Sequence, residues 1–335
     1  MSSMSRRRFL SVSAAAAGLA VMPFARPGRA LSVPDGSSLV SWRGQALGAV
    51  CELQIHHHDP EQAQELIRLA LARTRRLEAM FSLYDENSLL TRLNRCGALE
   101  APPPEFVELM QAATRFAQAT EGAFDVTVQP LWRLYEAHFS QPDADPEGPS
   151  AALLREALAH VGFEKLVVGR DRVALPRGAA VTLNGVAQGF VTDKIVDLLR
   201  AHGVVNSLVD MGEVRAIGRR ADGEAWRAGV EDPIVSGGVA KVLPLVDRAL
   251  STSGPYGLRF DPAGRFNHLF QPSTGTCAAR YASVSVVASS ATVADALSTA
   301  FCFMEPEKIR VVARAQGVEL VHLIDPHDAG LTIRV

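Results

Sequence analysis

Residues 207–246, SLVDMGEVRAIGRRADGEAWRAGVEDPIVSGGVAKVLPLV, decide the fold class. Apolar runs at 207–210, 214–218, 225–230 and 238–246 are separated by Gly, Asp and Pro, and they read as four successive strands with no helix between them. Outward from this block, 166–168, 172–175 and 180–183 read as short strands, 151–160 as a short helix and 189–202 as a longer one. Downstream, 284–288 reads as a strand running into a helix over about 292–303. A helix over 306–316 and closing strands over 320–324 and 331–335 follow. Upstream, 38–58 alternates as a hairpin turning at Gly44-Gln45. Asp59-Pro60-Glu61 then starts a helix, with Asp as cap and Pro at the first helical position. Ala63, Leu66, Ile67, Ala70, Leu71, Leu77 and Met80 carry it to residue 81 at helical spacing. A second helix spans about 104–120 and breaks at Gly122-Ala123-Phe124-Asp125, and 136–150 reads as a surface loop. Runs of strands interrupted by isolated helices, without strict alternation, make this an α+β protein with a mixed or antiparallel sheet and packed helices.

Composition supports a packed globular chain. Of 335 residues, 47% are hydrophobic and 21% charged, which excludes disordered and fibrous classes. Lys and Arg number 34 against 36 Asp and Glu, yet Arg6, Arg7, Arg8, Arg26 and Arg29 all fall in the first thirty residues, where there is no acid. The remainder is therefore mildly acidic and has no basic run, so neither nucleic acid nor an anionic membrane is expected as a partner. Length alone allows two domains or one large one.

The N-terminus reads as an address. Ser5-Arg6-Arg7-Arg8-Phe9-Leu10 precedes an apolar stretch from Val12 to Phe24 and the small-residue site Pro27-Gly28-Arg29-Ala30. This is the pattern of a twin-arginine export signal over 1–30, which makes the mature chain 31–335 periplasmic. The stretch is too short for the roughly 20 residues that span a bilayer, and no transmembrane segment is expected in the mature chain. Cys51, Cys96, Cys277 and Cys302 match no metal or redox spacing and read as buried small apolar residues, leaving room for one disulfide. His56-His57-His58 continues a strand, whose alternating faces stop all three from chelating one ion.

Three clusters carry chemistry. In Thr292-Val293-Ala294-Asp295-Ala296-Leu297-Ser298-Thr299, Asp295 and Thr299 are four apart on a helix and so share a face, and such hard oxygen donors suit Mg²⁺. The plainer account is an acid near a helix N-terminus with Thr299 bonded to its own backbone. In the segment from Thr182-Leu183-Asn184-Gly185-Val186-Ala187 to Gln188-Gly189-Phe190-Val191-Thr192-Asp193, a strand enters a helix through a small-residue turn that lets backbone approach a phosphate. Leu250-Ser251-Thr252-Ser253-Gly254 and then Phe266-Asn267-His268-Leu269-Phe270-Gln271-Pro272-Ser273-Thr274-Gly275 supply hydroxyls, glycines and one histidine apt for a phosphorylated ligand.

These clusters, with Glu121-Gly122-Ala123-Phe124-Asp125 through Leu131 and Phe81-Ser82-Leu83-Tyr84-Asp85-Glu86-Asn87-Ser88 upstream, resemble in order and spacing the ApbE family of FAD:protein FMN transferases over roughly residues 40–325. The resemblance implies that FAD is the substrate, that Mg²⁺ is held by the Ala187 carbonyl, Asp295 and Thr299, and that the flavin site draws on Leu47 and Tyr84. It also places Asn184, Gly185, Thr252, Ser253, Gly254 and His268 against the cofactor, with Asp295 and His268 as catalytic residues and Asp125 and Asp193 in structural roles. His268 is a candidate either for activating the acceptor hydroxyl or for steadying the leaving phosphate. The implied reaction is attack of an acceptor protein's threonine on the FMN-side phosphorus of FAD, releasing AMP. The chain departs from the family at Thr182 and Gln271, where Asp is usual, and at Asp210-Met211-Gly212-Glu213, which has one glycine fewer. The last form, with export, resembles the branch that flavinylates a membrane-associated acceptor in nitrous-oxide reduction. Two alternatives stay open: an FAD pyrophosphatase giving FMN and AMP, and a non-enzymatic periplasmic flavin-binding protein.

Overall fold

The computed structural model describes residues 36–235, 238–326 and 330–335, with the backbone of a two-residue strand, Leu19–Ala20 (β1). Apart from that strand, the export signal read over 1–30 lies outside the described residues. The central feature is an eight-stranded sheet, antiparallel throughout. It is built from Ser38–Ala46 (β2), Ala49–His57 (β3), Ser207–Asp210 (β7), Val214–Ile217 (β8), Ala249–Ser253 (β11), Ser283–Ala288 (β12), Val318–Ile324 (β13) and Leu331–Arg334 (β14). Their spatial order is β14-β13-β12-β11-β8-β7-β3-β2. Two small sheets complete the strands. Ala98–Glu100 (β4), Val167–Val168 (β5) and Arg172–Ala174 (β6) form one, and Trp226–Glu231 (β9) and Val239–Leu245 (β10) pair with β1 in the other.

The middle strands are buried on both faces, because side chains alternate across a sheet and each face has its own cover. On one face Val209, Ala249, Val286 and Val321 pack with the helices Pro60–Phe81 (α1), Pro104–Ala119 (α3), Ala187–Ala201 (α6) and Ala291–Phe301 (α7). On the other, Leu208, Val214, Ala216, Leu250, Val287 and Leu320 close against Trp226, Ala228, Val230, Leu243 and Leu245 of the β9–β10 hairpin. Helix α7 is apolar nearly all round and lies in the core, so the polar groups it carries, Asp295 and Ser298, are buried with it. A third cluster, Leu131, Tyr135, Val161 and Phe270, joins helices Gln129–Phe139 (α4) and Ala151–Leu158 (α5) to the loop around residue 268.

The α+β reading and its four successive strands hold. Asp59 accepts from Glu61 N and Gln62 N at 2.9 and 3.2 Å and starts α1 where the sequence places it. The first hairpin turns at Leu47-Gly48, not at Gly44-Gln45, since Ala46 pairs with Ala49. A two-residue turn of this hand needs positive φ at both positions, and Leu47 (52°) and Gly48 (71°) have it. The strand expected over 180–183 belongs to no sheet. Asn94 replaces the ladder by donating to Val181 O at 2.8 Å and accepting from Val181 N at 2.7 Å. The loop expected from 136 begins at Ser140, because α4 runs on through Phe139. Helix Leu89–Cys96 (α2), helix α4 and strands β4 and β11 went unread. The cysteines are all free. Cys51 and Cys302 are buried as expected, whereas Cys96 is exposed and Cys277 half-buried, so no disulfide forms. Among the described residues no helix is long and apolar enough to cross a membrane.

Candidate active site

Local sequence first puts a carboxylate at a crossing of two helices. Gly189 lies in the first turn of α6, and its N–H donates to Asp295 Oδ2 at 2.9 Å across the contact with α7. The approach requires glycine. A Cβ at 189 would lie 2.3 Å from Ala291 O and 2.7 Å from Asp295 Cβ, closer than any packing permits. The pose of α7 is set by Asp193, one turn further along α6. Its carboxylate accepts from Ala291 N (2.8 Å), Thr292 N (2.9 Å), Thr292 Oγ1 (2.6 Å) and Ser290 Oγ (2.6 Å), and it pairs with Arg215. A fully bonded acid at a helix N-terminus is a cap, and this one fixes the helix that presents Asp295. Asp125 has the same character. It accepts from Thr127 N, Thr127 Oγ1 and Phe163 N at 2.8, 2.6 and 3.0 Å.

The residues named from the sequence converge on one cleft. Leu47 at the hairpin turn, Tyr84, the Asn184-Gly185-Ala187 turn, Thr252-Ser253-Gly254 at the end of β11, His268, and Asp295 with Thr299 all line it. It encloses about 1480 Å³ including its open mouth, beyond the roughly 300–1,000 Å³ of pockets for drug-sized ligands, as an extended dinucleotide requires. Tyr84 is 49% exposed, which leaves its ring available for contact, while its hydroxyl bonds the Asn184 side chain. The Leu47 N–H is held by the Glu78 carboxylate, and Gln188 Nε2 reaches Leu47 O at 3.5 Å, tying the hairpin turn to the start of α6.

A ladder of hydroxyls joins β11 to α7. Ser253 Oγ lies 2.8 Å from Ser298 Oγ and 3.3 Å from Thr299 Oγ1, and Ser298 Oγ donates to Asp295 O at 2.9 Å. Thr252 is on the alternate face, and its hydroxyl is bonded to Ser285 across the β11–β12 pair at 2.8 Å. It therefore meets the cleft through the rest of the residue. At the departure positions, Thr182 Oγ1 accepts from Asn184 N at 3.3 Å, and Gln271 donates to Ser273.

The electrostatics of the floor are lopsided. Asp295 is 4% and Glu213 2% exposed. Burial pushes Asp295 up to about 7, against the pull of the Gly189 N–H. Burial, then the charge of Asp295, pushes Glu213 well above the usual carboxylate range. Among the described residues Glu213 Oε2 has no hydrogen-bond partner. Glu78, Asp125, Glu213 and Asp295 all line the cleft, and among the described residues no Lys or Arg does. Such a surface repels a pyrophosphate unless a cation intervenes. The oxygens of Asp295, Thr299 and Ser253, with an orphaned carboxylate oxygen beside them, are the hard donors that Mg²⁺ takes. His268 is half-buried, and desolvation lowers it to about 4. It is therefore neutral near pH 7, with Nδ1 3.2 Å from Leu258 N and 3.3 Å from Leu258 O, so the backbone of one residue can serve either tautomer. Sequence reading gave Glu213 no role beyond a departure from pattern and missed Glu78 and Trp132. No local spacing marks them, since each comes from a different element.

Similarity to known proteins agrees with this architecture. The model of the ApbE family matches residues 47–322. An FAD:protein FMN transferase of Haemophilus influenzae is 31% identical over 273 residues, covering 77% of this chain and 78% of the relative. One from Vibrio cholerae is 32% identical over 256 residues, covering 74% and 75%. Among solved structures, the apo flavinyl transferase ApbE of Pseudomonas stutzeri superimposes with a TM-score of 0.75 at 28% identity over 89% of this chain and 95% of that one. The Thermotoga maritima ApbE protein gives 0.75 at 29% identity over 89% and 97%. With an ordered eight-stranded sheet, a carboxylate at the α6–α7 crossing and a family match over most of its length, the chain belongs to the ApbE family.

Proposed function

We propose that this chain is a Mg²⁺-dependent FAD:protein FMN transferase that esterifies an acceptor threonine with FMN and releases AMP. The observation that carries the reading is the cleft's charge: four carboxylates line it with no cationic side chain among the described residues, and two of the acids are buried with raised pKa values. Asp295, Thr299 and the Ala187 carbonyl would hold the Mg²⁺. When bound, the ion would neutralise the pyrophosphate charge that phosphoryl transfer develops. The protein's own part is positioning. Asp193 and Gly189 fix Asp295, Ser253 and Ser298 align Thr299, and the exposed Tyr84 ring offers a flat apolar contact at the mouth. The threonine oxygen forms the new bond to the FMN-side phosphorus as the bond to AMP breaks, and the electron pair leaves on the AMP phosphate. With Nδ1 donating to Leu258 O, His268 keeps a lone pair on Nε2 and can take the hydroxyl proton, because its depressed pKa leaves it neutral.

The same reading takes 1–30 as a twin-arginine signal and 31–335 as one periplasmic catalytic domain, with a membrane-associated acceptor of the kind that serves nitrous-oxide reduction. The test is flavin fluorescence on denaturing gels of membranes and periplasm from cells with the wild-type protein, without it, or with Asp295→Ala. A fluorescent band that requires Asp295 is expected. No such band, with FMN and AMP still released from FAD by the purified protein, would make it a hydrolase. Tight FAD retention without AMP release would make it a flavin binder.

A further inference from the structure

A second cavity, of about 1150 Å³ including its open side, adjoins the cleft and shares Leu83, Tyr84 and Trp132 with it. Its other walls come from α2 and α4, the two helices that sequence reading passed over. The two cavities differ in charge. The cleft has no cationic side chain, whereas the groove carries Arg95 and Arg133, both exposed and neither in an ion pair among the described residues. Gln129 opens into the groove. It is 8% exposed, yet its amide has no hydrogen bond among the described residues. Asn94 is locked to both polar groups of Val181, so the groove's floor is rigid. An amide that meets only the groove, beside two guanidinium groups without an ion pair among the described residues, is arranged for an occupant with carboxylates and peptide groups.

We infer that this groove docks the acceptor protein: an extended segment with acidic side chains flanking its threonine lies across Arg95, Arg133 and Gln129, and delivers the threonine hydroxyl past Tyr84 and Trp132 into the cleft. The inference rests on the transferase reading above. The reaction needs two substrates at one phosphorus, and the cleft has room for FAD, which leaves the adjoining cavity for the second. Glu136, also in the groove and without an ion pair among the described residues, disfavours a phosphate there and favours a peptide, whose charge can be patterned around it.

The experiment uses two fluorescein-labelled peptides that differ only in carrying Asp or Lys on either side of one threonine. Each is titrated by anisotropy, with FAD and Mg²⁺ present, into the wild type and into the double variant Arg95→Glu/Arg133→Glu. FAD affinity is followed in parallel by quenching of flavin fluorescence. The wild type should prefer the Asp peptide by about tenfold or more, and the double variant should lose or invert that preference while its FAD affinity stays within about twofold. Absence of a preference in the wild type, or its survival in the double variant, would overturn the inference. Weakened FAD binding in the double variant would also overturn it, by giving the groove to the nucleotide. Selective binding of the Asp peptide with no FMN transferred to it would uphold the groove and overturn the reading of the cleft.

Discussion

Asp193 and Asp295 stand on facing helices, yet their carboxylates are in opposite states. Asp193 has four hydrogen bonds and an arginine. Asp295 has one hydrogen bond, a second buried acid beside it, and a pKa pushed up to about 7. The saturated acid builds the scaffold and the unsaturated one keeps its capacity for a ligand. A buried charge with too few partners costs stability, and a fold retains it where it binds something.

Substitutions can break this contrast. Asp193→Ala should have the largest effect, about 3–5 kcal/mol of stability, because it removes the α7 cap and leaves Arg215 buried without its counter-ion. Chemical denaturation measures it, and a loss below about 1 kcal/mol would deny Asp193 the scaffold role. Asp295→Asn should do the reverse. Asn can still accept from Gly189 N, so stability should hold or rise in metal-free buffer, while FMN transfer falls about 10²–10³-fold and Mg²⁺ no longer raises the melting temperature. Destabilisation comparable to that of the Asp193 variant would make Asp295 another structural acid.

Two smaller effects sharpen the comparison. Gly189→Ala forces α6 from α7 at the point where Asp295 is held, and should cost about 1–3 kcal/mol with a parallel loss of activity. Unaltered activity would show that the crossing tolerates more slack than its distances imply. The last is a pH dependence. Asp295 and Asp210 are both pushed up to about 7 by burial. Groups whose folded pKa is raised contribute stability that is present below about 4, their unfolded value, and is lost as pH rises through about 7. Metal-free protein should therefore melt at lower temperature at pH 8 than at pH 5, and added Mg²⁺ should stabilise it more at pH 8. A melting temperature that rises between pH 5 and 8 without metal would contradict the raised pKa values.

Much of the fold was legible because its signals are local. Asp59-Pro60 announces a helix start, and the strands between 207 and 246 are bounded by turn residues. Errors arose where a distant side chain supplied what local pattern does not. Asn94 pairs the backbone of 181 in place of a strand, and the first hairpin turns at a leucine because its N–H is held by Glu78. Helix α2 was missed because its eight residues carry only two buried side chains, too few for a periodicity to register.

The sequence by itself determined the α+β class, the family pattern and the pairing of Asp295 with Thr299, since residues four apart on a helix share a face wherever the helix lies. Only the tertiary structure decided that Glu78, Asp125 and Glu213 join them in a cleft without a cationic side chain among the described residues, that the Thr252 hydroxyl faces Ser285, and that Arg95 and Arg133 share a groove next door. Net charge and motif spacing are sums along the chain, whereas the field at a site depends on which distant elements the packing of the core brings together.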